Sequence, residues 1–264
     1  MKSILLRGRD TVEIGAIDQG HADDVAVALT RGGAPKRYPY VDPNEDAALA
    51  AQGAHGSLIA VADGHWGGLA AERALEALLA DAAPWLDGAP RAADAWYQAT
   101  LGALVAINNE VIAARDGDER SRTTLSWALA RPAENLLVHA SLGDSHLFVV
   151  DRIVAAEIPH ARKATFLGAR TLRASEAEKL GVIGVQPLDA PLAIVAVTDG
   201  LSEHAIGVAD PAGAVHAAVA AADGHARGAR ALAAARGIVD AALAAHRDHD
   251  AGDNVAVVIT WLAR

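Results

Sequence analysis

Short apolar runs interrupt long stretches of helical spacing along this 264-residue chain. The runs at residues 12–17, 25–29, 58–62, 125–130, 136–142, 146–150, 192–198 and 255–262 are too short for typical helices and predict strands. Between them, Leu101, Leu104, Val105, Asn108, Val111 and Ile112 share one face of a helix over residues 92–114. The alanine-rich stretches 69–79, 211–222 and 226–246 are good helix formers as well. The order is therefore strands, a helix pair, strands, a helix pair and a last strand. Strict strand–helix alternation is absent, which predicts an α+β fold of mainly antiparallel sheets with helices packed outside. No repeat or Pro/Gly/Ser-rich linker divides the chain, so residues 1–264 are expected to form one domain. Segments 30–44 and 157–189 are the least regular and predict surface loops.

Composition narrows the chemistry. With 33 acidic and 23 basic side chains the net charge is −10, which gives a nucleic-acid backbone no electrostatic attraction. Cysteine is absent, so disulfides, thiolate metal sites and cysteine nucleophiles are excluded. Any metal must sit on oxygen or imidazole. The opening MKSILLRGRD is too short in apolar residues for a secretory signal, and no stretch reaches the roughly 18 apolar residues of a membrane span. A cytoplasmic protein without a membrane or nucleic-acid partner is expected.

Acidic residues cluster at the predicted strand ends. Asp63-Gly64-His65 follows one strand, Asp199-Gly200 follows another, and Asp253-Asn254 precedes the last. Gly143-Asp144-Ser145 joins two strands, and Glu45-Asp46 precedes an apolar pair. Each dipeptide alone is ordinary turn chemistry, because Asp bonds its own backbone and Gly accepts positive φ. Five together suggest carboxylates carried on rigid supports to one point, an arrangement that repels itself unless divalent cations occupy it. Oxygen donors without thiolate suit hard ions such as Mg²⁺ or Mn²⁺.

These blocks, NEDAAL (44–49), VADGHWGG (61–68), LGDSHLFVV (142–150), VTDGLSEH (197–204) and GDNVAVVIT (252–260), resemble in their order the PP2C-type metal-dependent Ser/Thr protein phosphatases. The resemblance runs across residues 11–261. It implies a four-layer α/β/β/α sandwich, two antiparallel sheets each flanked by a helix pair. It also implies two or three Mg²⁺ or Mn²⁺ ions, a water activated between two of them, and a phosphorylated Ser/Thr protein as substrate. By the same resemblance Asp63 bridges two ions, Asp199 and Asp253 complete the first, and Glu45 with the Gly64 carbonyl holds the second. Asp46 then acts through a bound water, Asp144 serves a weaker third ion, and His65 is the general acid for the departing Ser or Thr oxygen. Asp63 and His65 are thus the expected catalytic pair, and the helix from about Gly67 is expected to begin beside bound anions.

The chain departs from the family pattern in four places. Trp66 intervenes between His65 and Gly67-Gly68, an insertion able to displace the imidazole. Val41 stands where the family carries its phosphate-gripping arginine, which leaves Arg37, with Lys36 beside it, as the candidate for substrate phosphate. His146 replaces the arginine after Gly-Asp-Ser, and the stretch AAEIPHARKATF lacks a recognisable Asp-His. These departures keep two alternatives open: a catalytically impaired pseudophosphatase acting as a binding module, and a hydrolase of small phosphate esters on the same fold.

Overall fold

The computed structural model describes residues 1–115, 120–160 and 165–262. The chain opens with β1 (Lys2–Arg7), β2 (Ile17–Ala22), β3 (Val25–Thr30), β4 (Ala47–Gln52), β5 (Ser57–Ala62) and the short β6 (Gly64–His65). Helices α1 (Leu69–Ala80), α2 (Ala83–Leu86) and α3 (Ala93–Ala113) follow. Then come β7 (Arg122–Thr123), β8 (Leu125–Arg131), β9 (Leu136–Leu142), β10 (His146–Val150) and β11 (Ala155–Ile158). The chain continues through α4 (Ala174–Leu180), β12 (Val182–Pro187), β13 (Ala193–Val197), α5 (Pro211–Ala222), α6 (Arg227–His249) and β14 (Val255–Trp261).

Among the described residues the strands form two six-stranded antiparallel sheets, ordered β1-β4-β5-β8-β9-β12 and β11-β10-β13-β14-β3-β2. A small ladder pairs β6 with β7. Helices α1 and α3 cover the outer face of the first sheet through Leu75, Leu78, Trp96 and Leu104. Helices α5 and α6 cover the second through Val215, Val219, Ile238 and Val239. Ile59, Val61, Val27, Leu29, Ile194 and Val258 fill the space between the sheets. The architecture is the expected four-layer α/β/β/α sandwich. Because both faces of the central strands are covered, β3, β5, β8 and β14 are buried end to end, and all but β8, which carries Ser126 and Arg131, read as near-continuous apolar runs.

Several elements differ from the sequence reading. Residues 12–16 are loop, and the strand begins at Ile17, where pairing with β3 becomes possible. The edge strand β1 lacks a strong alternation and is not among the predicted strands. β4, Ala-Ala-Leu-Ala-Ala-Gln, carries a helix former's composition, yet it is a central strand buried at five of its six positions. Its small side chains fit where α1 and the opposite sheet both press close, so packing overrides propensity. Residues 157–189, expected as loop, contain the end of β11, α4 and the edge strand β12; residues 161–164 of this segment lie outside those described. Segment 30–44 carries no helix, and its strand content ends at Thr30. Trp85, Trp96 and Trp127 are core residues, as the apolar context of each predicts. No helix among the described residues is long and apolar enough to cross a membrane.

His139 is a buried titratable group within this core, opposite Gly184 on β12. A Cβ at Gly184 would lie 2.0 Å from His139 Nε2, so only glycine lets the ring lie across the edge strand. Its Nδ1 has no hydrogen-bond partner, and burial lowers its pKa to about 4. Between that value and the ordinary 6.5 of an unfolded His, the unfolded chain binds the extra proton. This contribution to stability is therefore complete above pH 6.5 and is lost as pH falls toward 4. Urea unfolding of wild type and His139→Met at pH 7 and pH 5 should show the variant gaining about 2 kcal/mol relative to wild type at the lower pH.

Candidate functional site

Strand register brings the acidic blocks together. In the first sheet, Ala47 at the start of β4 pairs with Ala62 at the end of β5, so Asp46 and Asp63 leave the sheet at the same end. In the second, Val197 at the end of β13 pairs with Val257, and the Thr198 N–H donates to the Ala256 carbonyl at 3.1 Å. Asp199 and Asp253 therefore project from one end as well. The Thr198 hydroxyl donates to Asp46 Oδ2 at 2.7 Å and accepts from the Ala256 N–H at 2.9 Å, which joins the two sheet ends directly. Asp144 arrives on the turn between β9 and β10.

Two carboxylate groupings result. Ligand oxygens of Asp63, Asp144 and Asp199 lie within 4.8 Å of one another, and so do those of Asp199, Glu203 and Asp253. Asp199 belongs to both. Glu203 is an acid that strand-end reasoning missed; it sits one turn beyond Asp199, where the Asp-Gly-Leu-Ser-Glu spacing was the available signal. Burial, then the charges of Asp63 and Asp253, raises the pKa of Asp46 and of Asp199 well above the usual carboxylate range. Burial also raises that of Asp253, against the opposing pull of Lys36.

Glu45 is held from the backbone. Its Oε1 accepts N–H bonds from Val41 at 2.9 Å, Asp42 at 3.1 Å and Gly67 at 2.7 Å, and its own N–H donates to Asn254 Oδ1 at 2.9 Å. Asn254 in turn donates to the carbonyls of Arg31 and Pro43, so one side chain pins the loop that delivers the Glu-Asp pair. A Cβ at Gly64 would fall 2.4 Å from the Glu45 carbonyl oxygen, which makes glycine necessary beside Asp63. The approach to α1, expected to face bound anions, is met by the protein's own carboxylates: Gly67 by Glu45 and Gly68 by Asp42 Oδ2 at 2.9 Å.

Trp66, the inserted residue, leaves His65 against Asp63. It takes φ 63° and stands 37 % exposed, so the extra residue bulges outward while Gly67 still reaches Glu45. His65 Nε2 lies 3.1 Å from Asp63 Oδ2. Burial works to lower the His65 pKa, but the Asp63 hydrogen bond and the charges of Asp63, Asp144 and Glu45 outweigh it and raise the value. Phe166 meets the imidazole edge-on with centroids 4.4 Å apart.

The cations are arranged differently from the sequence expectation. Arg37, the candidate for substrate phosphate, is not among the cleft-lining residues. Its guanidinium donates to the His249 carbonyl at 2.8 Å and to the Asp250 carbonyl, capping the C-terminus of α6. Lys36 points into the cleft instead, 3.4 Å from Asp253 Oδ1, with its ammonium beside the Tyr38 and Tyr40 rings. The Tyr38 hydroxyl also donates to Asp253. Arg122, which no motif signalled, lines the same cleft of about 290 Å³. Behind the site, His146 Nδ1 lies 2.5 Å from Glu157 and its Nε2 lies 2.6 Å from Ser202 Oγ. Ser202 donates to the Asp199 carbonyl at 3.2 Å, so the residue replacing the family arginine buttresses the Asp199 turn.

The family model for protein phosphatase 2C matches residues 40–218. The chain belongs to the protein phosphatase 2C family. Among solved structures, a bacterial serine phosphatase is 15 % identical with a TM-score of 0.66, covering 91 % of this chain and 98 % of its own. The catalytic domain of the serine threonine protein phosphatase PstP, solved with two manganese ions, is 19 % identical with a TM-score of 0.64, covering 94 % and 100 %. Stp1 from Staphylococcus aureus is 15 % identical with a TM-score of 0.63, covering 93 % and 97 %. At these identities the likeness is one of fold. No curated protein matches the chain.

The protein phosphatase 2C fold here concentrates charge that opposes its own stability. Asp199, half-buried and crowded by Asp63 and Asp253, has a raised pKa and binds its proton more tightly folded than unfolded, so without metal, stability falls as pH rises from the ordinary carboxylate range toward neutrality. Asp199→Asn removes one such charge with little change in volume. In chelator at pH 7.5, it should raise Tm by about 2–4 °C, the shift for roughly 1 kcal/mol in a chain of this size. A lower Tm in calorimetry would contradict this account of the cluster.

Proposed function

We propose that this protein, with residues 1–264 as one catalytic domain, is a metal-dependent phosphomonoester hydrolase acting on phosphorylated Ser or Thr in proteins. The observation that carries the reading is the convergence of Asp63, Asp199 and Asp253 in one cleft, with Asp144 grouped beside Asp63 and Asp199 and His65 against Asp63. A cytoplasmic location belongs to the same proposal.

The donor set fits hard divalent cations: oxygen donors, mostly half-buried carboxylates that repel one another, with no thiolate in the chain. Asp63, Asp199, Asp253, Glu45 and the Gly64 carbonyl would hold Mg²⁺ or Mn²⁺, with Asp46 and Asp144 as the further acids beside them. Bound there, the ions supply an activated water and offset the charge of the phosphoryl oxygens. The chain's own residues do the rest. Backbone N–H groups fix Glu45 through one oxygen, and Thr198 orients Asp46. His65, oriented by Asp63 and Phe166, delivers the proton to the leaving Ser or Thr oxygen.

Titration with Mn²⁺ should raise both Tm and aryl phosphate hydrolysis, and Asp63→Asn and Asp253→Asn should each abolish most turnover while the fold persists. Hydrolysis unaffected by exhaustive chelation would refute the metal-dependent reading.

The proton-donor assignment has a separate check. An alkoxide leaves far less readily than nitrophenolate, so His65→Gln should slow phosphopeptide hydrolysis by about 10² or more and an aryl ester much less. Equal losses on the two substrates, compared by kcat, would show that His65 positions other groups instead. Phosphopeptide hydrolysis by the wild type also distinguishes a protein phosphatase from a hydrolase of small esters.

A further inference from the structure

Val41 leaves the cleft without the arginine that grips phosphate in the family pattern, and the described cations nearby are mostly engaged. Lys36 is 5 % exposed and paired with Asp253, and Arg37 caps α6. Arg122 differs from both. It faces His65 across the two-residue β6–β7 ladder and lines the cleft alongside Asp63 and Asp199. Its guanidinium lies 4.7 Å from the centre of the Phe166 ring, the same ring that meets His65 edge-on. Its Nε is buried without a hydrogen-bond partner, and among the described residues no carboxylate lies within 4.0 Å of it. The side chain as a whole is half-buried, so its outer N–H groups, engaged by no hydrogen bond or ion pair among the described residues, remain donors for an anion entering the cleft.

From this geometry we infer that Arg122 is the substrate-phosphate anchor, taking the phosphoryl oxygens of the phosphomonoester in place of the arginine that Val41 replaces. The inference rests on the phosphatase reading above. A guanidinium offers paired N–H donors matched to two phosphate oxygens, and stacking on Phe166 holds its plane. The ladder to His65 sets the phosphate anchor and the proton donor at a constant separation. One phosphoryl group is thereby gripped on the side from which His65 reaches its ester oxygen. The signal was hidden in the sequence, because Arg122 lies 77 positions beyond Glu45, outside every acidic block.

The test is calorimetric titration of inorganic phosphate into the Mn²⁺-loaded protein, with KM and kcat for an aryl phosphate measured alongside. Arg122→Ala should weaken phosphate binding about 10- to 100-fold, the scale of a charge-assisted bidentate contact, and raise KM by a similar factor. Arg122→Lys should recover part of the loss, since it restores charge without the fork. The stabilisation by Mn²⁺ should be unchanged in both, and Arg37→Ala should bind phosphate as wild type does. If the alanine variant misfolds, Arg122→Gln, which keeps much of the stem, carries the same expectation. Phosphate affinity within twofold of wild type in a folded Arg122 variant would overturn the assignment, as would a wild type that binds no phosphate. Because binding is read without turnover, wild-type protein that binds phosphate through Arg122 but hydrolyses nothing would sink the phosphatase reading and spare this one.

Discussion

The arrangement depends on mutual repulsion among carboxylates held where the backbone gives them no escape. Asp46 and Asp63 leave one sheet, and Asp199 and Asp253 leave the other, at ends fixed by antiparallel register. Sliding a strand by one residue to separate them would turn every core side chain of that strand to the wrong face. The sandwich core thus holds charge together that would disperse in solution, and burial drives the pKa values of Asp46 and Asp199 upward. Thr198 ties the two sheet ends through one hydroxyl, so the two halves of the cluster do not move independently.

Around this cluster the chain solves locally the problems that its departures from the family pattern create. Trp66 is accommodated by a left-handed backbone conformation, a strain worth roughly 1 kcal/mol or more for a bulky residue, which the surrounding contacts sustain. The gain is that Gly67 and Gly68 still present their N–H groups to Glu45 and Asp42. The aromatic side chain is partly exposed and lines the cleft together with Tyr38.

The polar groups around the cluster are paired with the same economy. Lys36 and the Tyr38 hydroxyl answer Asp253, Arg37 answers the carbonyl end of α6, and Glu157 answers His146, which steadies the Asp199 turn through Ser202. Arg122 differs from these groups: it stacks on Phe166 and makes no ion pair among the described residues, which leaves its outer donors available. That contrast ties the phosphate anchor to the proposed proton donor through one aromatic ring.

The order of strands and helix pairs, the buried central strands and the acidic blocks at strand ends were legible in the sequence because each follows from local pattern: short apolar runs, helical spacing, and Asp-Gly turns. The absence of cysteine alone restricted any metal to oxygen and imidazole. Other features depended on contacts between distant residues. β4 is a strand because two layers press on it, although its alanines favour helix. Arg37 and Lys36 are chain neighbours with opposite fates, since successive side chains diverge and only the packed loop shows which one meets Asp253. Glu203 and Arg122 join the cleft through a turn and a two-residue ladder that carry no periodic signal. A one-dimensional pattern records which face a residue buries; it does not record which other element that face will meet.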